Sequence, residues 1–224
     1  MPDRKELLEE FKTVFSGNTA ILDSVLPPII FLLANTFLGF QAAMWMALVG
    51  GAVIGLMRAL RGQKLWYVLG GIGAALLAIG LRFLLNTSTA FFLPTLINGS
   101  LTTLGLLVSI LVKRPAVAFT SHITRRWSLA WYWHPRVRPA YSEVTAVWVA
   151  FFGLKLLVQI LLYSRGDVAG LALFNLVSGW PALILLLVFS YIYGLNRLHG
   201  LAGPSVDEFN QNVPPPWQGQ MRGF

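Results

Sequence analysis

Seven polar side chains fall within long apolar runs of this sequence: Asn35, Arg82, Asn98, Thr102, Lys155, Gln159 and Asn175. A polar or charged group in such surroundings is costly, so these residues are the first candidates for an ion, ligand or proton site. Lys155 and Gln159 are four apart and share a face of any helix that carries them. Thr95, Asn98, Thr102, Gly105 and Ser109 follow a 3-4-3-4 spacing, which makes one polar or small stripe. No acidic residue matches Lys155 in depth, so three states are open to it: a neutral amine, a side chain that snorkels outward, or an ammonium bound by Asn and Gln carbonyls. Turned toward each other, these groups would form a polar layer able to line a cavity. The plainer reading is interhelical glue, since such hydrogen bonds contribute about 0.6 kcal/mol each in a bilayer. Both readings stand on the sequence.

The elements that must position them are apolar helices. The chain is 56% hydrophobic and 12% charged, against roughly 25% charged in soluble domains. A membrane crossing needs about 20 mostly apolar residues. Six such spans are legible, at about 21–40, 41–60, 65–85, 91–112, 143–163 and 168–195. The expected fold is therefore an all-α polytopic membrane protein with six transmembrane helices. Pro27, Pro28 and Pro181 mark expected kinks. At about 1.5 Å per residue, Asn35, Asn98, Lys155, Gln159 and Asn175 all fall in the outer half of a core about 30 Å thick. Arg82 lies just beyond them.

Charge sets the orientation. With the N-terminus cytoplasmic, the inner side carries 14 Lys and Arg and the outer side only Arg82 and Arg165. The positive-inside rule then places both termini in the cytoplasm. The net charge of +8 is thus a topology signal, and nucleic acid is not an expected partner. Asp23 reads as a structural residue near a helix end, and Arg165 and Asp167 as a solvated outer turn.

The long polar interruption, the cytoplasmic loop 113–142, concentrates Lys113, Arg114, Arg125, Arg126, Trp127, Trp131, Trp133, Arg136 and Arg138. Trp favours the membrane interface and Arg favours anionic headgroups, so these residues are expected to contact lipid or a partner. The domain reading is an amphipathic interfacial helix at 1–19, a transmembrane domain at 20–199 and a flexible Pro-rich cytoplasmic tail at 200–224. Ala43, Ala47, Gly51 and Gly55, facing Gly70, Ala74 and Ala78, predict close packing of spans 2 and 3 within the chain. Homodimerisation is the other use of such stripes.

No motif argues for an enzyme. There is no cysteine, no HxxxH or HExxH spacing, no carboxylate pair for magnesium, no Gly-rich phosphate loop and no GxSxG. No metal or other cofactor is expected.

The segment LLVSILVKRPAVAF, with its basic-basic-Pro exit Lys113-Arg114-Pro115, resembles the intracellular septation protein A family of bacterial integral membrane proteins. The likeness continues through a basic turn before Leu65-Trp66, a helix with Trp148, Phe151 and Phe152, and a last span ending in Tyr191 and Tyr193. It covers roughly residues 21–197. A neighbouring family with the same architecture is the alternative. The charged N-terminus, longer basic loop and Pro-rich tail depart from the pattern. The resemblance implies a non-enzymatic inner-membrane protein of envelope maintenance and division, working through envelope or division proteins. A small transporter or channel around Lys155 is the competing expectation.

Overall fold

A computed structural model describes residues 29–60 and 65–224, and all of these that are regular are helical. The expected amphipathic helix at 1–19, Asp23, Pro27-Pro28 and the turn at 61–64 lie outside the described residues. In order the helices are α1 Ile29–Leu38, α2 Phe40–Leu60, α3 Leu65–Leu84, a 3-10 turn Ser88–Phe92, α4 Leu93–Leu111, α5 Ala116–Arg125, α6 Leu129–Tyr132, α7 Arg138–Ser164, α8 Val168–Val177, α9 Trp180–Leu201 and α10 Val206–Asn210. Among the described residues, four stretches are long and apolar enough to cross a membrane: Phe40–Met57, Ser88–Leu111, Arg138–Ser164 and Val168–Leu201. Only 11% to 22% of each is buried inside the protein. Large side chains such as Leu33, Val49, Leu101, Leu154, Leu157 and Leu185 face outward. That many outward apolar groups call for a hydrocarbon surround, and the chain is a membrane protein.

The chain divides into two compact units, with the divisions falling inside α4, α7 and α9. One contains residues 29–99 and 155–183 of the described chain. Its core joins Phe31, Ala34, Ala43, Phe92, Leu96, Leu171 and Ala172. Phe31 stacks on Phe91 at 5.7 Å and meets Phe40 and Phe92 edge-on at 5.8 and 6.1 Å. Helices α2 and α3 pack together, in keeping with the small-residue stripes, and Ala43 and Ala78 are buried. Gly39 separates α1 from α2 at φ +80°, a left-handed conformation that only glycine adopts without strain.

The other unit contains residues 100–154 and 184–224. Its core is Val117, Ala118, Trp131, Tyr132, Val137, Ala140, Tyr141, Val144, Leu198 and Val206. Where the sequence predicts a loop at 113–142, the chain forms α5 and α6. Val117, Ala118 and Ser121 give α5 one buried face. Pro115 precedes it, and Arg126, in the left-handed region, ends it by donating its N–H to His122 O.

The predicted flexible tail at 200–224 is also folded. Ser205 opens α10 with a reciprocal capping box to Glu208. The chain then returns so that Gln218 and Gly219 donate N–H groups to the Glu208 carboxylate at 2.7 and 3.3 Å. Prolines and glycines here shape turns, and the aromatic residues between them supply the anchors. Phe224 stacks on Tyr141 at 4.3 Å and fills the space beside Gly194.

Candidate functional site

The Phe-rich unit holds part of the predicted polar layer. The sixth span is not continuous: α8 stops at Val177 and α9 starts at Trp180. Pro181 has no N–H to carry the hydrogen-bond ladder across this point. Gly179 suits the break, because a Cβ there would lie 2.8 Å from Asn175 O. A helix end leaves carbonyls without partners and carries partial negative charge. Lys155 answers this need, donating from Nζ to Ser178 O at 3.1 Å. The partner of the intramembrane lysine is thus a broken-helix carbonyl and not a side-chain amide.

One turn further along α7, Gln159 is almost fully buried, and its Nε2 donates to Asn175 Oδ1 at 2.5 Å. A methyl group placed on Gly99 would sit 3.6 Å from Gln159 Oε1, so α4 passes close by. Ser178 Oγ is buried with no hydrogen-bond partner among the described residues. The i, i+4 pair therefore does act together, tying α7 to the C-terminal end of α8 at the break.

Among the described residues, Asn35, Arg82 and Asn98 share no hydrogen bond with this group. Asn98 is exposed, and Asn35 and Thr102 are half-buried. Thr102 belongs to the other unit. The Arg82 guanidinium lies 5.1 Å from the Phe83 ring centre and 6.0 Å from that of Phe40, with Nε buried and unpartnered among the described residues. On the turn between α7 and α8, Asp167 is not merely solvated. It caps α8, accepting from Gly170 N at 2.8 Å.

The Trp–Tyr unit gathers the basic residues around aromatic rings. Arg114 lies over Trp133 at 4.6 Å, Arg125 over Trp127 at 5.2 Å and Arg136 over Trp217 at 5.5 Å. Trp131 departs from the expected lipid contact. It is fully buried, and Nε1 donates to Pro204 O at 2.9 Å. Its ring is large enough to centre the cluster, and the tail gives its N–H an acceptor, so no wet interface is needed. Trp127 and Trp133 are partly buried against the same core. Lys113, Arg114, Arg126 and Arg136 are exposed, and Arg125 and Arg138 half-buried.

Tyr132 donates to Ser121 Oγ at 3.0 Å. Burial pushes its hydroxyl above the ordinary tyrosine range, so it stays a neutral donor. His122 Nδ1 donates to Trp127 O at 2.5 Å and closes the turn after α5. Arg125 Nε reaches Phe224 O at 3.1 Å. His134 meets Trp217 and Phe209 edge-on at 5.4 and 6.2 Å. Desolvation, with help from Arg136, lowers its basicity.

Sequence reasoning missed three connections here. Glu143 accepts from Arg197 Nε and Nη2 at 2.8 and 2.9 Å and from Tyr193 OH at 2.9 Å. Trp148 Nε1 donates to Ser190 Oγ at 2.8 Å. Glu208 organises the tail. Glu143 opens the predicted span 143–163 and Arg197 lies just past the end of 168–195, so opposite charges at matching span ends were a signal available for the first. For the third, Ser205-x-x-Glu208 has capping-box spacing, whereas Trp148 and Ser190 carry no pattern that pairs them.

Residues 15–198 match a family described as "Protein of unknown function (DUF3159)". The match covers well over half of the chain, and the chain belongs to that family. No curated protein and no solved structure matches it.

Proposed function

We propose that this protein is a non-enzymatic, multi-pass protein of a bacterial inner membrane that serves envelope maintenance and division through its basic, aromatic face. On this reading six helices cross the bilayer, both termini are cytoplasmic and residues 1–19 form an interfacial helix. The distribution of Lys and Arg supports the orientation. The resemblance carried by Lys113-Arg114-Pro115 supports the cellular role. One observation carries the mechanism. The segment 113–142 and the tail fold together into one ordered unit that keeps Lys113, Arg114, Arg126 and Arg136 exposed. A preorganised charged surface loses little freedom on binding, which favours contact with lipid or a partner.

A second reading is a small transporter or channel. It is favoured by the interruption between α8 and α9, where Lys155 sits on a free carbonyl. Half-helix C-termini within a membrane are places where cations are held.

Rescue of a deletion strain separates the two. The contact reading expects Arg126→Gln with Arg136→Gln to fail in restoring cell length and envelope integrity while Lys155→Met succeeds. The reverse result overturns it in favour of transport.

A further inference from the structure

Helix α5 begins at Ala116, shortly after a spanning stretch that ends at Leu111. Chain continuity therefore puts it at the edge of the hydrocarbon. Its rotation is fixed. Ser109 Oγ accepts the Ala116 N–H at 3.0 Å, and Thr145 Oγ1 accepts that of Val117 at 3.3 Å. At the far end His122 and Arg126 close the turn. With Val117, Ala118 and Ser121 turned into the core, the opposite edge presents Phe119 and Ile123, which are 39% and 74% exposed. These two are an i, i+4 pair on one face.

Leu111 and Val112, at the end of the preceding stretch, are apolar and exposed as well. The neighbouring hydroxyls make no demand on solvent: Thr120 donates to Val117 O, and Thr124 to Thr120 O and Ser121 O. Exposed cations stand at both ends, Lys113 and Arg114 before the helix and Arg126 after it. Arg114 is held against Trp133. An apolar edge bracketed by cations complements one surface in particular, the boundary between acyl chains and anionic headgroups.

We propose that α5 lies in the plane of the membrane, with Phe119 and Ile123 seated among acyl chains and Lys113, Arg114 and Arg126 bound to the phosphates of anionic phospholipid. This deepens, and rests on, the reading of the basic face as a contact surface. It names the ligand as lipid and the anchor as α5.

The chain has no cysteine, so a single label can be placed cleanly. The full chain carrying Ile123→Cys with a nitroxide goes into nanodiscs of phosphatidylcholine mixed equally with phosphatidylglycerol. The label should relax with oxygen and be shielded from a water-soluble paramagnet, while one at Asp207 shows the opposite. In native mass spectra, Lys113→Gln/Arg114→Gln/Arg126→Gln should lower retained phosphatidylglycerol relative to phosphatidylcholine by about tenfold or more. Arg126→Gln alone provides a milder variant if the triple does not fold. A water-accessible Ile123 label, or an unchanged lipid ratio in a folded variant, overturns the proposal. A lipid-seated label with loss of phosphatidylglycerol upholds it. If that same variant still rescues the deletion strain, the proposed cellular role fails and the lipid site stands.

Discussion

The two units solve the same problem with different aromatic residues. The unit holding Phe31, Phe40, Phe91 and Phe92 packs rings that have no polar atom to satisfy. The unit holding Trp131, Tyr132 and Tyr141 packs rings with N–H and O–H groups. Two of those groups have named acceptors, Pro204 O for Trp131 and Ser121 Oγ for Tyr132. Hydrocarbon rings need only neighbours, whereas indoles and phenols also need partners when buried. The tail supplies one of those partners. That is a physical reason for a Pro-rich, Gly-rich segment to be ordered: it completes a core that is otherwise short of an acceptor.

The largest expected effect that separates the units is Trp131→Ala. Removing a fully buried indole should cost about 3–5 kcal/mol and free the tail, read as a lower melting temperature and rapid proteolysis after Pro204. The Gln159–Asn175 bond should survive, because it belongs to the other unit. If the tail stays protected, the two-core description fails.

Lys155→Met is next. It leaves the Ser178 carbonyl without its ammonium, at an expected cost of about 1–2 kcal/mol. Thermal unfolding should record that loss while tail proteolysis is unchanged.

Acid should then loosen the tail selectively. Backbone donors from Ser205, Gln218 and Gly219 hold Glu208 down to about 2, from an ordinary 4.5. A carboxylate favoured in the fold stabilises fully above pH 4.5 and loses that contribution as pH falls toward about 2. His134 is held below its ordinary 6.5, so charging it disfavours the docked tail as pH drops beneath 6.5. A nitroxide at Asn212 should gain mobility through both windows, and Glu208→Gln should remove the lower one.

The smallest effect is Gln159→Leu with Asn175→Leu. Losing one interhelical hydrogen bond should cost about 0.6 kcal/mol. A far larger loss, with an altered growth phenotype, would favour the transport reading.

Much of the frame was legible in advance. The apolar runs at 41–60, 91–112, 143–163 and 168–195 each became helix, with ends displaced by a few residues. At the Pro181 run the outcome was sharper than a kink, because Gly179 and Pro181 act on the same turn. Lys155 and Gln159 were found from their types and spacing. Their partners were not, since a backbone carbonyl at a helix break leaves no mark of its own in composition. Asn98 follows the same polar stripe yet faces outward, because a period places a residue on a face without saying what that face meets. Ser109, on that stripe too, proves to be the acceptor that caps α5.

Composition, hydrophobic run length and charge distribution by themselves determined a helical membrane protein. Those properties act residue by residue through transfer from water to hydrocarbon, so they need no knowledge of distant contacts. The tertiary structure decided what the polar and aromatic groups do. Trp131 became a core residue, Lys155 a cap on a broken helix, and the tail a folded cover held by Glu208. Each of those outcomes depends on an acceptor or donor supplied from elsewhere in the chain, such as Trp131 to Pro204 or Arg125 to Phe224. Hydrogen bonds are short and directional, so only the folded chain fixes which groups meet.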